Sequence, residues 1–253
     1  MTQGLKKRAE GPELMDLRER LSGQRPDPEL LEAHRDLRRL NRLMNAAGPV
    51  LYGVNKFWEA LGRPKRLSVL DVGCGAGGIN RALLKWAARR GVDLRVILAD
   101  AAEEAQIEAR RIFAGEPRVT FVRRSLFDLP KGCADLVTAS QFAHHFSPSE
   151  LPGAVRRMLD VARRGVIIAD IHRHRVAWVS VRAVTRLFFR NRYIRHDGPL
   201  SVARGFRRED WDELAAALKN QPMTVRWVPL FRWVVMLPKT AEPKGEENHD
   251  FDG

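Results

Sequence analysis

Four closely spaced glycines and three aspartates give this chain its most chemically suggestive pattern. In Val69-Leu-Asp-Val-Gly-Cys-Gly-Ala-Gly-Gly78 an apolar strand runs into a turn. There Gly73, Gly75, Gly77 and Gly78 let the backbone bend sharply and approach a ligand with no Cβ in the way. The next segment, Ile79 to Arg90, is free of proline and helical in composition, so its first N–H groups would face the same crevice. Asp71 lies just before the turn. Asp100 ends the apolar run Leu94–Leu98, roughly 20 residues on, where a carboxylate can accept from ribose hydroxyls. Val119–Val122 leads to Ser125-Leu-Phe-Asp-Leu-Pro130, in which Asp128 beside Leu126 and Phe127 suits an adenine ring, the acid taking the exocyclic amine.

The glycines also satisfy G-x-G-x-x-G, so a nicotinamide oxidoreductase has to be weighed. Asp100 serves either cofactor. Asp71 before the turn and the Ser125–Pro130 loop after the third strand favour an adenosyl cofactor instead.

Taken in order, these motifs resemble the class I S-adenosylmethionine-dependent methyltransferases over about residues 67–172. The resemblance implies S-adenosylmethionine as cofactor, Asp71, Gly73, Gly75 and Gly77 as its first motif, Asp100 for the ribose, and Leu126, Phe127 and Asp128 for the adenine. Ala134–Ser140 is similar to the family's fourth strand, which brings Ser140 to the cofactor. Gln141-Phe-Ala-His-His-Phe146 resembles the His-containing segment that follows it in small-molecule methyltransferases. The Asp170–Arg175 segment, the arginine-rich helix after it and Arg195–Ser201 look like bacterial enzymes found beside type III polyketide synthases and phenolic-lipid or quinone pathways. That implies a phenolic, polyketide-derived or quinol-like acceptor, methylated on oxygen or carbon.

A phenol needs a base to take its proton as oxygen attacks. Of the seven histidines, His144, His145, His172, His174 and His196 fall where the fold would gather them at one mouth. His145 is the first candidate and His172 the second. The two cysteines, Cys74 and Cys133, have no companions at metal-ligand spacing, so no metal site is expected, and both are read as reduced thiols.

The elements that must hold these residues are legible as strands alternating with helices. The expected fold class is α/β, a Rossmann-like seven-stranded methyltransferase sheet. Val166–Ala169 is its fifth strand, and Thr224–Val228 and Trp233–Leu237 form a closing antiparallel hairpin. The domain is expected to span 28–238, with a helical extension at 28–62, the cofactor core at 67–172 and a lid insertion at 172–205. Residues 1–27 and the tail 239–253 are too polar to bury much and are expected to be disordered outside short helical pieces.

In the extension, Leu30, Leu37, Leu40 and Met44 share one side of a helix, and Tyr52, Phe57 and Trp58 either cover the sheet or wall a substrate pocket. On residues 175–190 the same periodicity sets Arg175, Arg182, Arg186 and Arg190 against Ala177, Val181, Val184 and Phe188. This predicts a lid with a wholly cationic outer side, suited to weak contact with an anionic membrane that supplies a lipophilic acceptor.

A net charge of +13 invites a nucleic-acid reading. The arginines are scattered, however, and no RNA-binding module or base-methylation tetrapeptide accompanies the core, so a nucleic-acid substrate is disfavoured. An RNA or protein methyltransferase remains the alternative. No signal peptide or apolar run of roughly 20 residues is present, which predicts a cytoplasmic enzyme, peripheral to the membrane at most.

Overall fold

The computed structural model describes residues 5–21 and 26–239. Its centre is a single sheet of seven strands in the order β3-β2-β1-β4-β5-β7-β6. These are β1 (Arg66–Val72), β2 (Asp93–Asp100), β3 (Val119–Arg123), β4 (Ala134–Ser140), β5 (Ala162–Ile171), β6 (Thr224–Val228) and β7 (Arg232–Pro238). The first five run parallel, and β7 enters antiparallel between β5 and β6. Leu230 and Phe231 take φ values of 64° and 55° to close the β6–β7 hairpin, the left-handed pair that a tight turn between twisted strands requires.

Strand order reverses at β1, where β2 departs to one side and β4 to the other, and the carboxyl ends of these strands open the crevice expected of such a sheet. Near-continuous apolar runs in β1, β4 and β5 are buried because helices cover both faces. One face carries α6 (Leu151–Val161) and α9 (Arg208–Leu218), around Met158, Phe206 and Trp211. The other carries α3 (Ala47–Ala60) and α4 (Asn80–Arg90), around Phe57, Leu83 and Ile167. Tyr52, Phe57 and Trp58 belong to this second layer, so they cover the sheet and do not wall the cavity. Helix α4 stops at Gly91, whose φ of 64° needs no Cβ.

The N-terminal segment departs from the expectation of disorder. Residues 5–21 pack onto the domain, with Leu5 and Met15 buried and α1 (Leu14–Leu21) seated on α8 (Arg192–Arg204). Asp197 accepts from the Leu14 and Met15 amides at 2.9 and 3.0 Å, satisfying two N–H groups at the start of α1. The Arg8 guanidinium lies 4.4 Å over the Phe206 ring and donates to the carbonyls of His144, Phe146 and Arg204. A polar sequence is thus ordered by specific ties to buried groups together with the burial of Leu5 and Met15. Residues 1–4, 22–25 and the tail 240–253 lie outside the described residues.

The insertion also differs from the lid expected of it. In α7 (Arg175–Phe188) the buried residues are Ala177, Val181 and Thr185, while Val184 is half-buried and Phe188 exposed. From residues 172–205, Ser201 alone borders the cavity at the carboxyl edge of the sheet. That cavity is covered instead by the N-terminal segment and α2 (Pro28–Leu43). Helix α2 begins at the Asp27 cap, whose side chain accepts from Glu29 N, and buries Leu30 and Leu40 as predicted.

Candidate active site

A cavity of about 980 Å³ opens at the carboxyl ends of β1, β2 and β4. Its floor is the glycine turn. Gly73, Gly75 and Gly77 have φ values of 59°, 51° and 67°, all in the region that favours glycine. The three do different work. A Cβ on Gly73 would fall 2.1 Å from the Phe142 ring, and one on Gly77 2.6 Å from Leu98. At Gly75 it would meet nothing nearer than His34 at 3.7 Å, so this glycine faces open cavity and leaves room for a ligand.

The acids divide likewise. Asp100 accepts from the Gly75 amide at 2.7 Å and the Ala102 amide at 3.0 Å, which holds its carboxylate at the cavity wall. Asp71 is buried below, accepting from Asn80 Nδ2 at 2.6 Å and Thr138 Oγ1 at 2.9 Å. Burial outweighs these bonds and pushes its pKa up to about 6. Both oxygens are spent on tying α4 to β1 and β4. Ser140 borders the cavity, and its buried hydroxyl has no partner among the described residues, an orphan that a ligand can satisfy.

Leu126 and Phe127 line the wall beyond β3, but Asp128 does not. It sits on the outer side of the 3₁₀ turn Leu126–Asp128, exposed, whereas Ser125, which caps that turn, borders the cavity. The tight turn carries three consecutive side chains in three directions, which the linear pattern could not resolve.

At the opposite end Gln141 leaves β4 with φ 54°, a left-handed conformation unusual for a side chain of its kind. Its amide donates to Asn41 of α2 at 2.7 Å. The 3₁₀ turn Ala143–His145 follows, and its carbonyls are gripped by Arg204, which donates to His144 O and His145 O, and by Arg8. His145 is half-buried on the cavity wall, with Nδ1 2.8 Å from Asp16 of α1. An ionised carboxylate can only accept, so Nδ1 carries the proton and neutral His145 keeps its lone pair on Nε2.

His144 stacks beneath it, ring centroids 4.5 Å apart, fully buried between Asp170 at 2.7 Å on Nδ1 and Glu13 at 3.4 Å on Nε2. Burial opposes its charge, but the two carboxylates prevail and raise its pKa to about 9. Burial likewise opposes ionisation of Glu13, yet His144, His145 and Ser201 bring its pKa down to about 2. His144 is therefore a cation at neutral pH and no base.

The remaining candidate histidines, His172, His174 and His196, lie outside the cavity lining. His174 caps α7 by accepting from Val176 N, and His196 pairs with Asp197. His172, the second candidate base, accepts from Trp227 Nε1 at 3.1 Å and does not border the cavity. It leaves β5 on the side of the β6–β7 hairpin, away from the switch point.

Glu13, His144 and His145 offer ligand atoms within 4.8 Å of one another, a set no sequence spacing announced, because Glu13 arrives on the N-terminal segment. Ser201 and His144 already occupy Glu13, and the His144 cation supplies the positive charge a metal ion would bring. The cavity walls are otherwise apolar and aromatic near His145, with Met15, Leu37, Phe142 and Phe146, the two phenylalanines meeting edge to face at 5.2 Å. Arg38, Arg42, Arg81 and Lys85 stand at the mouth, from α2 and α4, with no ion pair among the described residues.

Residues 69–165 match the family model described as a methyltransferase domain. Solved structures with the same fold include an S-adenosylmethionine-dependent methyltransferase from Aquifex aeolicus, at 17% identity and TM-score 0.57, covering 85% of this chain and 100% of that one. Human N-acetylserotonin methyltransferase in complex with S-adenosylmethionine is 11% identical with a TM-score of 0.59, over 83% of this chain and 55% of that one. Magnesium protoporphyrin IX methyltransferase from Synechocystis, with bound S-adenosylhomocysteine, is 16% identical with a TM-score of 0.51, over 89% and 94%. At such identities the likeness concerns the fold alone. No curated protein sequence matches the chain. The glycine turn, Asp100 and the unpartnered Ser140 hydroxyl fit an S-adenosylmethionine cofactor.

Proposed function

We propose that this protein is an S-adenosylmethionine-dependent methyltransferase that methylates a small phenolic or quinol-like acceptor on oxygen, with His145 as the base and Asp16 as the carboxylate that orients it. The observation that carries the reading is the 2.8 Å contact between His145 Nδ1 and Asp16 on the cavity wall. When bound, S-adenosylmethionine supplies an electrophilic methyl group, so what remains for the protein is to cradle it, align an acceptor and receive a proton.

Gly75 and the Asp100 carboxylate form the cradle at the β1 and β2 ends, with Leu126, Phe127 and Ser125 on the adenine side and Ser140 beneath. Phe142, Phe146 and Met15 give an acceptor ring an apolar wall and keep water from the attacking oxygen. Asp16 fixes the imidazole tautomer so that Nε2 takes the phenolic proton. The buried His144 cation, held by Asp170 and Glu13, sets the height of the His145 ring by stacking. The four cations at the mouth favour an acidic phenol or a ring bearing an anionic substituent. A ring carbon beside a phenolic hydroxyl would use the same base.

The test is incubation with deuteromethyl-labelled S-adenosylmethionine and a panel of alkyl resorcinols and hydroquinones, read by fragmentation mass spectrometry. Label on a phenolic oxygen is the expected result. Label entering RNA or protein while every phenol stays unlabelled would overturn the reading.

A further inference from the structure

The outer side of α7 is neither wholly cationic nor covered. Val176, Val179, Leu187 and Phe188 are 54%, 58%, 76% and 74% exposed. Residues 176, 179, 183 and 187 form one row along the helix, opposite the buried Ala177, Val181 and Thr185. Arg175, Arg186 and Arg190 stand beside that row, exposed, and Arg182 lies 5.3 Å over the Trp178 ring. None of these four arginines forms an ion pair among the described residues, and no acid occurs between Asp170 and Asp197. At the amino end of the helix the tip of the β6–β7 hairpin adjoins it, Phe231 stacking on His174 at 4.9 Å, with Leu230 and Trp227 47% and 45% exposed.

A row of large apolar side chains left in water marks an interaction surface. Its charge decides the occupant. A second copy docked through the same row would set two arginine rows together with no acid on either to pair them. A nucleic acid would satisfy the arginines but leave Leu187 and Phe188 against phosphates. A surface that offers anionic phosphates outside and hydrocarbon a few ångströms below answers both features at once.

We propose that α7 and the adjoining hairpin tip are a docking face for an anionic lipid bilayer. The apolar row and Phe188 enter the acyl boundary, and Arg175, Arg182, Arg186 and Arg190 meet the lipid phosphates. The cavity is bordered by other elements, so docking leaves it uncovered. This holds whatever the acceptor proves to be. No helix among the described residues is long and apolar enough to cross a membrane, so the contact is peripheral.

Co-sedimentation with vesicles of phosphatidylcholine and phosphatidylglycerol, against phosphatidylcholine alone, tests the face. The parent should sediment with the anionic vesicles and be released as salt screens the charges. Replacing Arg182, Arg186 and Arg190 with glutamine should lower partitioning roughly 100-fold, at about a factor of five for each cation. The pair Leu187→Asp and Phe188→Asp should lower it at least about tenfold and abolish quenching of Trp178 by bromine-labelled acyl chains. S-adenosylhomocysteine affinity should be unchanged in every variant, which separates lost docking from lost folding. Equal binding to neutral vesicles, sedimentation indifferent to the apolar pair, no vesicle binding at all, or a dimer that the apolar pair dissolves would each overturn the proposal.

Discussion

Raising the pH from 7 to 8.5 should cost this protein about 2 kcal/mol of stability, and His144 should be the reason. Its folded pKa of about 9 lies above the unfolded value of 6.5. A group raised in this way stabilises fully below the unfolded pKa, and the contribution is lost as pH climbs through the folded one. At about 1.36 kcal/mol per pH unit per proton, 1.5 units between these limits give the figure. The other shifted groups contribute little in this window. Asp71, raised to about 6, and His172, held low by burial, have titrated by pH 7. The Cys74 and Cys133 thiols, pushed above their usual range, add to the loss only at the top of the window, where an unfolded thiol begins to ionise, and Arg232 stays charged up to about 10. Glu13, held down to about 2, loses its contribution only in acid. Urea unfolding at half-unit pH steps measures the slope. His144→Gln should flatten it, and Glu13→Gln should reduce it, since Asp170 supplies the larger share of the attraction. A wild-type protein equally stable at pH 7 and 8.5, or a His144→Gln variant with the parent's slope, would refute the buried cation between two carboxylates.

The remaining predictions concern the cavity. Gly75→Val should stay folded yet lose S-adenosylhomocysteine binding in calorimetry, because its side chain enters open cavity at a φ of 51°, strain costing roughly 1–2 kcal/mol. Gly73→Ala should instead lower the melting temperature sharply, its Cβ falling 2.1 Å from the Phe142 ring. Asp100→Ala should weaken cofactor binding and loosen the glycine turn together, seen as faster amide exchange at Gly75, whose N–H it accepts. Asp16→Asn should lower kcat by about 10²-fold or more with KM little changed, since the tautomer and not the acceptor contact is lost.

All seven strands were legible, because a run such as Val166–Ala169 is apolar at every position and bounded by residues of other character. Strand ends were less so: β1 begins at Arg66 and β5 spans Ala162–Ile171, since pairing with neighbouring strands and not the apolar run sets where a strand stops. The glycine turn was legible because φ above zero and close packing both select glycine. Side-chain direction was not. Asp128 and Ser125 differ by one 3₁₀ turn, and only the turn geometry puts Ser125 inside. The N-terminal segment was missed because Arg8, Glu13 and Asp16 look like solvated charges, and each finds its partner far along the chain: Asp16 pairs with His145, 129 positions away. The apolar Leu14-Met15 pair beside Asp16 was the one local sign that this segment docks. On α7 the periodicity finds the side of Ala177 and Val181 that packs inward, but the second apolar row, Val176, Val179 and Leu187, lies among arginines that make the outer side read as wholly cationic, and only the packing shows it exposed.

The measurement closest to the central claim is methyl transfer to an alkyl resorcinol by the parent and His145→Ala, with S-adenosylhomocysteine affinity measured on the same samples. The account predicts that kcat falls by about 10²–10⁴-fold while affinity stays within about twofold of the parent's. Full turnover by His145→Ala would contradict it.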